Sequence, residues 1–253
     1  DEKLLTFYNG LLDLDTGMLS PHNPQKFTTF CLECSLLTPD IPATCPVFEQ
    51  FLVDITGGDI GMTMRIWEII GYCLTPDIQG KVMFVFQGVP NSGKSLLSDL
   101  IGSFFPPGKV SALDIHALRQ QFAMSELEGK ALCISPDLPN APLDSASVSN
   151  IKKLTGRDVV SADKKYSSRK QFKFTGKIIA VTNYPLLTTR RDNAFQERIV
   201  AVPFLYSVAP KKRVDLLPYL RQERSAIAKK ALAAYFELRK RNYRFSGFYQ
   251  LNQ

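Results

Sequence analysis

The residues best suited to chemistry form a glycine-rich segment, Gly88-Val89-Pro90-Asn91-Ser92-Gly93-Lys94-Ser95, which matches the pattern GxxxxGK[ST]. Glycines let such a loop curl so that successive backbone N–H groups point at a phosphate. A lysine in the place of Lys94 reaches the β- and γ-phosphate oxygens, and a hydroxyl in the place of Ser95 ligates Mg²⁺. The segment therefore predicts a site for ATP and Mg²⁺, formed by Gly88, Asn91, Ser92, Gly93, Lys94 and Ser95.

Phosphoryl transfer in such a site also needs a carboxylate that holds the metal and orients the attacking water. Asp137 is the candidate because it closely follows the apolar run 131–134, and ligands of open parallel sheets gather beyond the carboxyl ends of strands. We expect Asp137 to share Mg²⁺ with Ser95. The alternative is an aspartate that only opens a loop before Pro139. The candidates for a second acid are Glu126 and Glu128.

These residues need a scaffold of strands that end at the site and helices that cover them. The apolar run 82–86 leads into the glycine-rich segment, and apolar residues at helical spacing follow from Leu96 to Phe105. Short buried runs then alternate with helical patterns, which is typical of a parallel sheet covered by helices. We predict an α/β fold, preceded by a small, mostly helical domain and followed by a basic helical tail. Further strands are predicted at 131–134 and 177–182, helices at 47–55, 63–73, 115–125, 145–154 and 222–241, and a charged hairpin at 159–174.

Charge is unevenly distributed along the chain, whose formal net charge is +7. Residues 152–177 include nine basic and two acidic residues, and residues 211–253 include eleven basic and three acidic ones. The first 80 residues instead include three basic and eleven acidic residues. Such clustering indicates that one part of the chain meets a polyanion such as nucleic acid. For 211–253 alone, a solvated basic helix is the simpler interpretation.

The composition excludes several classes of protein. With 253 residues, 45% of them hydrophobic, and no repeat of fixed period, the chain suits a packed domain and not a fibrous or disordered protein. Its apolar runs are far shorter than the roughly 20 residues of a membrane-spanning helix, so we expect no membrane partner. The sequence begins at Asp1 without a signal peptide. We therefore expect a fragment of a longer polypeptide in a reducing, cytoplasm-like compartment.

Five cysteines, an odd number spread over a long chain, favour free thiols over a disulfide framework. Cys31 and Cys34 form one CxxC pair, and Cys45 and His22 offer the further ligands of a zinc site. No second pair follows at the spacing of a zinc finger. Buried structural thiols are therefore the favoured interpretation.

Other stretches carry information in combination with the glycine-rich segment. They are 9–14 with 16–17 and 20–22, 45–48 with 71–74, 127–137 with 151–158, and 181–185 followed by 197–204. In this order they resemble the superfamily 3 helicases of the AAA+ class, most closely the poxvirus-type and satellite-phage-type primase-helicases of viruses and mobile elements. The resemblance extends over the chain to about residue 205. It implies an N-terminal helicase-associated domain at 1–78 and an AAA+ P-loop ATPase core at 79–206, and the basic helical segment predicted from the sequence pattern follows at 207–253.

The resemblance implies an ATP-driven replicative DNA helicase that moves 3′ to 5′ on single-stranded or forked DNA. Its subunits would form a homo-oligomeric ring, usually a hexamer, and a primase domain would be covalently linked outside this fragment. Asn183 would contact the γ-phosphate and the lytic water, and Arg198 would reach the site of the neighbouring subunit. Arg190 and Arg191 are the alternatives for that arginine. The hairpin would grip DNA through Lys164, Lys165, Tyr166, Arg169 and Lys170.

Two other functions remain open on the sequence. One is a P-loop kinase of nucleotides or small molecules, which the charged hairpin and the pair of Asn183 and Arg198 disfavour. The other is a non-catalytic AAA+ module that binds ATP to load or assemble a DNA complex. A loader hydrolyses little ATP and unwinds nothing, so a strand-displacement assay distinguishes it from a helicase.

Overall fold

A computed structural model describes residues 3–164, 167–208 and 215–247. Two compact units make up this part of the chain. The first, called the helical unit, contains residues 3–77, 91–107, 205–208 and 215–247, and the second, called the sheet unit, contains residues 78–90 and 108–204. The elements are β1 (Leu4–Phe7), β2 (Gly10–Asp13), β3 (Leu19–Ser20), α1 (Pro46–Thr56), α2 (Ile60–Leu74), β4 (Met83–Gly88), α3 (Lys94–Gly102), β5 (Val110–Ala112), α4 (Gln121–Met124), β6 (Leu132–Leu138), α5 (Ser145–Gly156), β7 (Val159–Lys164), β8 (Ser167–Lys173), β9 (Lys177–Thr182), α6 (Asn193–Gln196), β10 (Ile199–Phe204), α7 (Leu217–Gln222) and α8 (Arg224–Lys240).

This grouping differs from the three consecutive domains predicted from the sequence. Residues 91–107, which include α3, group with both ends of the described chain and not with the strand that precedes them. The boundaries near 79 and 207 stay predictions.

The sheet unit is built on five parallel strands in the order β10-β4-β9-β6-β5. All six residues of β9 are buried, as expected for a central strand covered on both faces. On one face, Met83, Val85 and Ile178 of the strands pack in a single core with Ile151 and Leu154 of α5. Burial of these apolar side chains drives the assembly. The predicted α/β class with a parallel sheet flanked by helices is confirmed.

The helical unit depends on a close contact between α2 and α8. Both helices lie within this unit, and α2 buries ten of its fifteen residues. A Cβ atom added at Gly71 of α2 would overlap the carbonyl oxygen of Ala231 and crowd Tyr235 of α8. Only glycine therefore allows the two backbones to approach this closely. Strands β1, β2 and β3 form a separate antiparallel sheet in the same unit.

We expect Gly71→Ala to lower the free energy of unfolding by about 1–3 kcal/mol, because the new methyl group meets backbone that cannot move aside. Urea or thermal unfolding monitored by circular dichroism measures the change. Gly108→Ala is the control, since a Cβ atom there would meet nothing within 4 Å. Equal stability of the two variants would contradict the close approach of α2 and α8.

Many charges of the basic tail are used inside the helical unit. Arg239 pairs with Asp15 at 3.2 Å, and Arg241 pairs with Glu68, which is fully buried in α2. Glu223, between α7 and α8, accepts hydrogen bonds from the backbone N–H groups of Val47 (3.0 Å) and Phe48 (2.8 Å) at the start of α1. Part of the charge difference between the two ends of the sequence therefore reflects their attraction for each other. None of the helices in the described ranges combines the length and hydropathy that crossing a bilayer requires.

Candidate functional site

The glycine-rich segment connects the end of β4 to the start of α3, so the predicted strand–loop–helix arrangement is present. Gly88 has a φ of +150°, and a Cβ atom there would overlap the carbonyl of Phe204. Gly93, the N-cap of α3, has a φ of +89°, and its Cβ would lie 2.8 Å from Ile55 and 2.9 Å from Phe51. Both positions thus require glycine for conformation and for space. At these two positions the backbone of the loop therefore packs directly against Phe204 and against α1.

The polar residues of the loop differ in exposure. Ser92 and Lys94 are buried, and the Lys94 ammonium group donates to the Ser92 hydroxyl at 3.1 Å. Asn91, with a φ of +55°, and Ser95, in the first turn of α3, are exposed. A lysine beside a helix N-terminus and a run of loop N–H groups form an arrangement that favours anions. Metal binding by Ser95 stays a prediction.

Asp137 and Asn183 lie at the carboxyl-terminal edge of the sheet, where its parallel strands end. Asn183 directly follows β9. Asp137 is the last residue but one of the neighbouring strand β6, whose final residue, Leu138, pairs with Thr182 of β9. The other neighbour of β9 is β4, and there Gln87 pairs with Thr182, which places Gly88 at the same edge. Both polar side chains are exposed. The topology therefore brings together Asp137, Asn183 and the first residue of the loop.

The backbone at Asp137 is unusual. Pairing between β6 and β9 is irregular from Ser135 to Leu138, and Asp137 has a φ of +42°. An irregularity of this kind redirects a side chain at the end of a strand, and a non-glycine residue in the left-handed region is held there at an energetic cost. The other two acids, Glu126 and Glu128, precede the amino end of β6 and so lie away from Asp137.

Arg198 lies at the opposite, amino-terminal edge of the sheet, where its parallel strands begin. It directly precedes β10, and its carbonyl accepts a hydrogen bond from the Met83 N–H at 2.8 Å, at the amino end of β4. Its guanidinium donates to the carbonyl of Ala194 in α6, while its Nε is buried without a partner among the described residues. Arg190 and Arg191 are exposed in the loop before α6. Within one chain, therefore, Arg198 is not grouped with Asp137 and Asn183.

The predicted hairpin is formed by β7 and β8, which pair antiparallel. Its base is anchored in the core of the sheet unit by Val160, Ala162 and Phe174, which are all buried. Lys164, Arg169 and Lys170 belong to its strands, and their side chains lie outside the described part of the structure. Lys165 and Tyr166 lie outside the described residues altogether. The hairpin itself is thus confirmed, and its contacts with DNA stay a prediction.

The five cysteines are free thiols, and Cys34, Cys45, Cys73 and Cys133 are buried. Burial raises the pKa of the Cys34 and Cys133 thiols to about 12, so both stay protonated at neutral pH. His22 instead bonds through Nε2 to the carbonyl oxygen of Tyr8 at 3.1 Å. In the described ranges, no group of three or more His, Cys, Asp or Glu residues is placed to hold a metal ion.

Gln87, which immediately precedes the loop, was not predicted as a residue of the site. Its side-chain oxygen Oε1 is buried and has no hydrogen-bond partner among the described residues. Buried polar atoms nearly always have a partner, so one that lacks it at the end of a strand is notable. The available signal was a polar residue that ends an otherwise apolar strand, Met83–Gly88.

Two family models match parts of the chain. Residues 1–57 match the model described as D5 N terminal like, and residues 86–198 match a family of unknown function, DUF5906. An uncharacterized mitochondrial protein of Marchantia polymorpha, ymf21, is 27% identical over 104 residues, which are 38% of this chain and 58% of that protein. The DUF5906 match, residues 86–198, contains Gln87, the whole glycine-rich segment, Asp137 and Asn183.

The fold is similar to that of the NrS-1 C terminal region. One apo structure of that region superimposes with a TM-score of 0.63 and 14% identity, over 90% of this chain and 60% of that one. Another, the A form, gives a TM-score of 0.62 at 14% identity, over 82% and 49%. This chain therefore spans about half of the structures that it matches. At this level of identity the likeness shows a shared fold.

Proposed function

We propose that the chain is the ATP-hydrolysing, DNA-translocating part of a replicative helicase related to viral and phage primase-helicases. The observation that carries the proposal is the loop from Gly88 to Ser95, which joins a buried parallel strand to a helix and requires glycine at both ends. The D5 N terminal like match to residues 1–57 and the fold of the NrS-1 C terminal region support it. On this proposal, the sheet unit with α3 is an AAA+ P-loop ATPase core of superfamily 3.

The residues present fit a triphosphate with Mg²⁺. Gly88 and Gly93 allow the backbone of the loop to curl, so that its N–H groups would point at a phosphate, and Lys94 adds a positive charge. Ser95 and Asp137 would hold Mg²⁺, which neutralises charge on the phosphates when bound. Asn183, as an amide, would donate to the γ-phosphate and accept from the attacking water. Asp137 and Asn183 are exposed at the carboxyl ends of two neighbouring strands, which supports these roles.

A ring of subunits would complete each site. Arg198 lies at the sheet edge opposite Asp137 and Asn183, which supports action on the nucleotide of a neighbouring copy. A guanidinium supplied in this way stabilises transition-state charge on the transferred phosphoryl group. We therefore propose a homo-oligomeric ring, probed below by mixing variants, with single-stranded DNA in its channel.

The hairpin is the proposed DNA contact. Cations that bind phosphates carry no sequence information, and an aromatic ring stacks on any base, which suits a motor that travels along all sequences. We expect Lys164→Ala combined with Lys165→Ala to keep basal ATP hydrolysis, to lose its stimulation by single-stranded DNA, and to flatten the salt dependence of DNA binding. Hydrolysis rates and fluorescence anisotropy at several salt concentrations measure these effects. Lys26→Ala with Lys240→Ala, two exposed lysines in the helical unit, is the matched control.

Strand displacement decides between the proposal and a DNA loader. Wild-type protein with ATP, Mg²⁺ and a labelled forked duplex should release the displaced strand, whereas the hairpin double variant should not. ATP binding without turnover or unwinding would instead support the loader. Transfer of phosphate to a small acceptor, without any effect of DNA, would support the kinase.

A further inference from the structure

The segment that follows β10 lies beside the glycine-rich loop. Residues 205–208, called the exit segment, leave the sheet after Phe204, whose carbonyl accepts a hydrogen bond from the Val89 N–H at 3.0 Å. Four residues after Phe204, the N–H of Val208 donates to the carbonyl of Asn91 at 2.8 Å. Hydrogen bonds to the loop therefore hold the exit segment at both of its ends.

The exit segment presents an aromatic ring next to α1. Tyr206 is 49% exposed, and its ring lies against Gly57, where a Cβ atom would be only 2.5 Å from the ring carbons. Gly57 is the C-cap of α1, with a φ of +62°. Glycine at this point lets the ring pack flat on the backbone. The ring is thus fixed on one side and open to solvent over about half of its surface.

Helix α1 connects this ring to the loop. Ile55, two residues before Gly57, belongs to the pair of side chains that contact Gly93. Two helical residues correspond to a rise of about 3 Å, so the ring and the loop contact the same end of one helix. The Tyr206 ring and Gly93 of the loop therefore contact positions on α1 that lie within about one helical turn of each other.

We propose that Tyr206 stacks on the nucleobase of the nucleotide whose phosphates bind the loop, an inference that rests on the proposed function. Stacking on an aromatic ring does not depend on which base is present. Of the other residues of the exit segment, Leu205 and Val208 are apolar, and Ser207 has one hydroxyl, which can donate to or accept from any base and so does not favour one of them. The ligand class is therefore nucleoside triphosphates with little discrimination among bases.

Calorimetric binding of ATP, GTP, CTP, UTP and inorganic tripolyphosphate tests this assignment. We expect Tyr206→Ala to weaken binding of all four nucleotides by about 10-fold or more and to leave tripolyphosphate binding unchanged. Tyr206→Leu, which keeps an apolar contact with Gly57, should show the same loss, while Tyr206→Phe should bind as wild type. Tyr219→Ala, at a similarly exposed tyrosine of α7 (51%), is the control.

Failure of the inference and failure of the proposed function give different results. If the wild type binds no nucleotide, the proposed function is wrong and the inference falls with it. If the wild type binds nucleotides and Tyr206→Ala binds them equally well, only the inference is overturned. Loss of tripolyphosphate binding in Tyr206→Ala would show a structural role, and a loss confined to one nucleotide would show base-specific recognition; either result overturns the inference.

Discussion

Lys94→Ala should lower ATP hydrolysis by about 100-fold or more and remove DNA unwinding with it. Lys94 is buried, and a hydrogen bond from its ammonium group to Ser92 helps to hold that group within the loop, so its positive charge is preorganised there. A preorganised positive group in a site of low polarity contributes much more than one in water, and removal of one such donor typically costs this much in rate. Steady-state phosphate release measures the loss.

Lys26→Ala is the matched control for that experiment, because it removes an exposed lysine of the helical unit outside the loop. It should hydrolyse ATP at the wild-type rate. A melting temperature for Lys94→Ala close to that of the wild type would exclude unfolding as the cause. Turnover of Lys94→Ala at the wild-type rate would refute the assignment of the loop as the nucleotide site.

Arg198→Ala should lower hydrolysis by roughly 1,000-fold while it leaves nucleotide binding and ring assembly intact. The physical reason is that Arg198, at the amino end of β10, would on the proposed function stabilise charge on a neighbour's nucleotide and not on that of its own chain. Sedimentation velocity should show rings of normal size. Arg190→Ala and Arg191→Ala test the alternatives, and a similar loss in either of them with normal turnover in Arg198→Ala would move the role there.

Mixing two inactive variants is the sharper form of this experiment. Lys94→Ala subunits keep Arg198, and Arg198→Ala subunits keep Lys94, so mixed rings contain some interfaces with both groups. We expect hydrolysis to recover on mixing, up to about a quarter of the wild-type rate if subunits exchange at random and each interface works alone. Absence of recovery, despite demonstrated subunit exchange, would show that both residues serve the same chain.

The strands and helices that carry periodic apolar patterns were predictable from the sequence. Strand β9 has the predicted bounds, Lys177–Thr182, and α1, α2, α5 and α8 begin and end within three residues of their predicted limits. These elements are buried on a regular face, and burial of such a face is what periodicity reports. The edge shared by Asp137 and Asn183 followed from the same reasoning, because parallel strands end at one side of a sheet.

Two strands of the same sheet were not predicted. Strand β10 contains Pro203, which argues against a central strand because proline lacks the N–H group of the ladder. In the structure β10 is an outermost strand of the sheet, so Pro203 has a paired neighbour, Gln87 of β4, on one side only. Strand β5 is three residues long, too short for a pattern to emerge.

The surroundings of the loop were beyond reach of the sequence for a different reason. The contacts of Gly93 with Phe51 and Ile55, and of Asn91 with Val208, join residues that are distant along the chain. No local pattern records such contacts, so the grouping of 91–107 with both chain ends was invisible. The positive φ of Asp137 coincides with the irregular pairing of β6 with β9, a contact between segments that are also distant along the chain.

The cap that Glu223 places on α1 has a consequence for biosynthesis. Its two hydrogen bonds span 176 and 175 residues, so α1 leaves the ribosome long before the carboxylate that completes its first turn. Closing so large a span is slow and leaves apolar surface uncovered in the meantime. We therefore expect α1 to lack this cap until Glu223 has been synthesised, and a polypeptide that ends before Glu223 to expose apolar surface of α1 and to aggregate more readily.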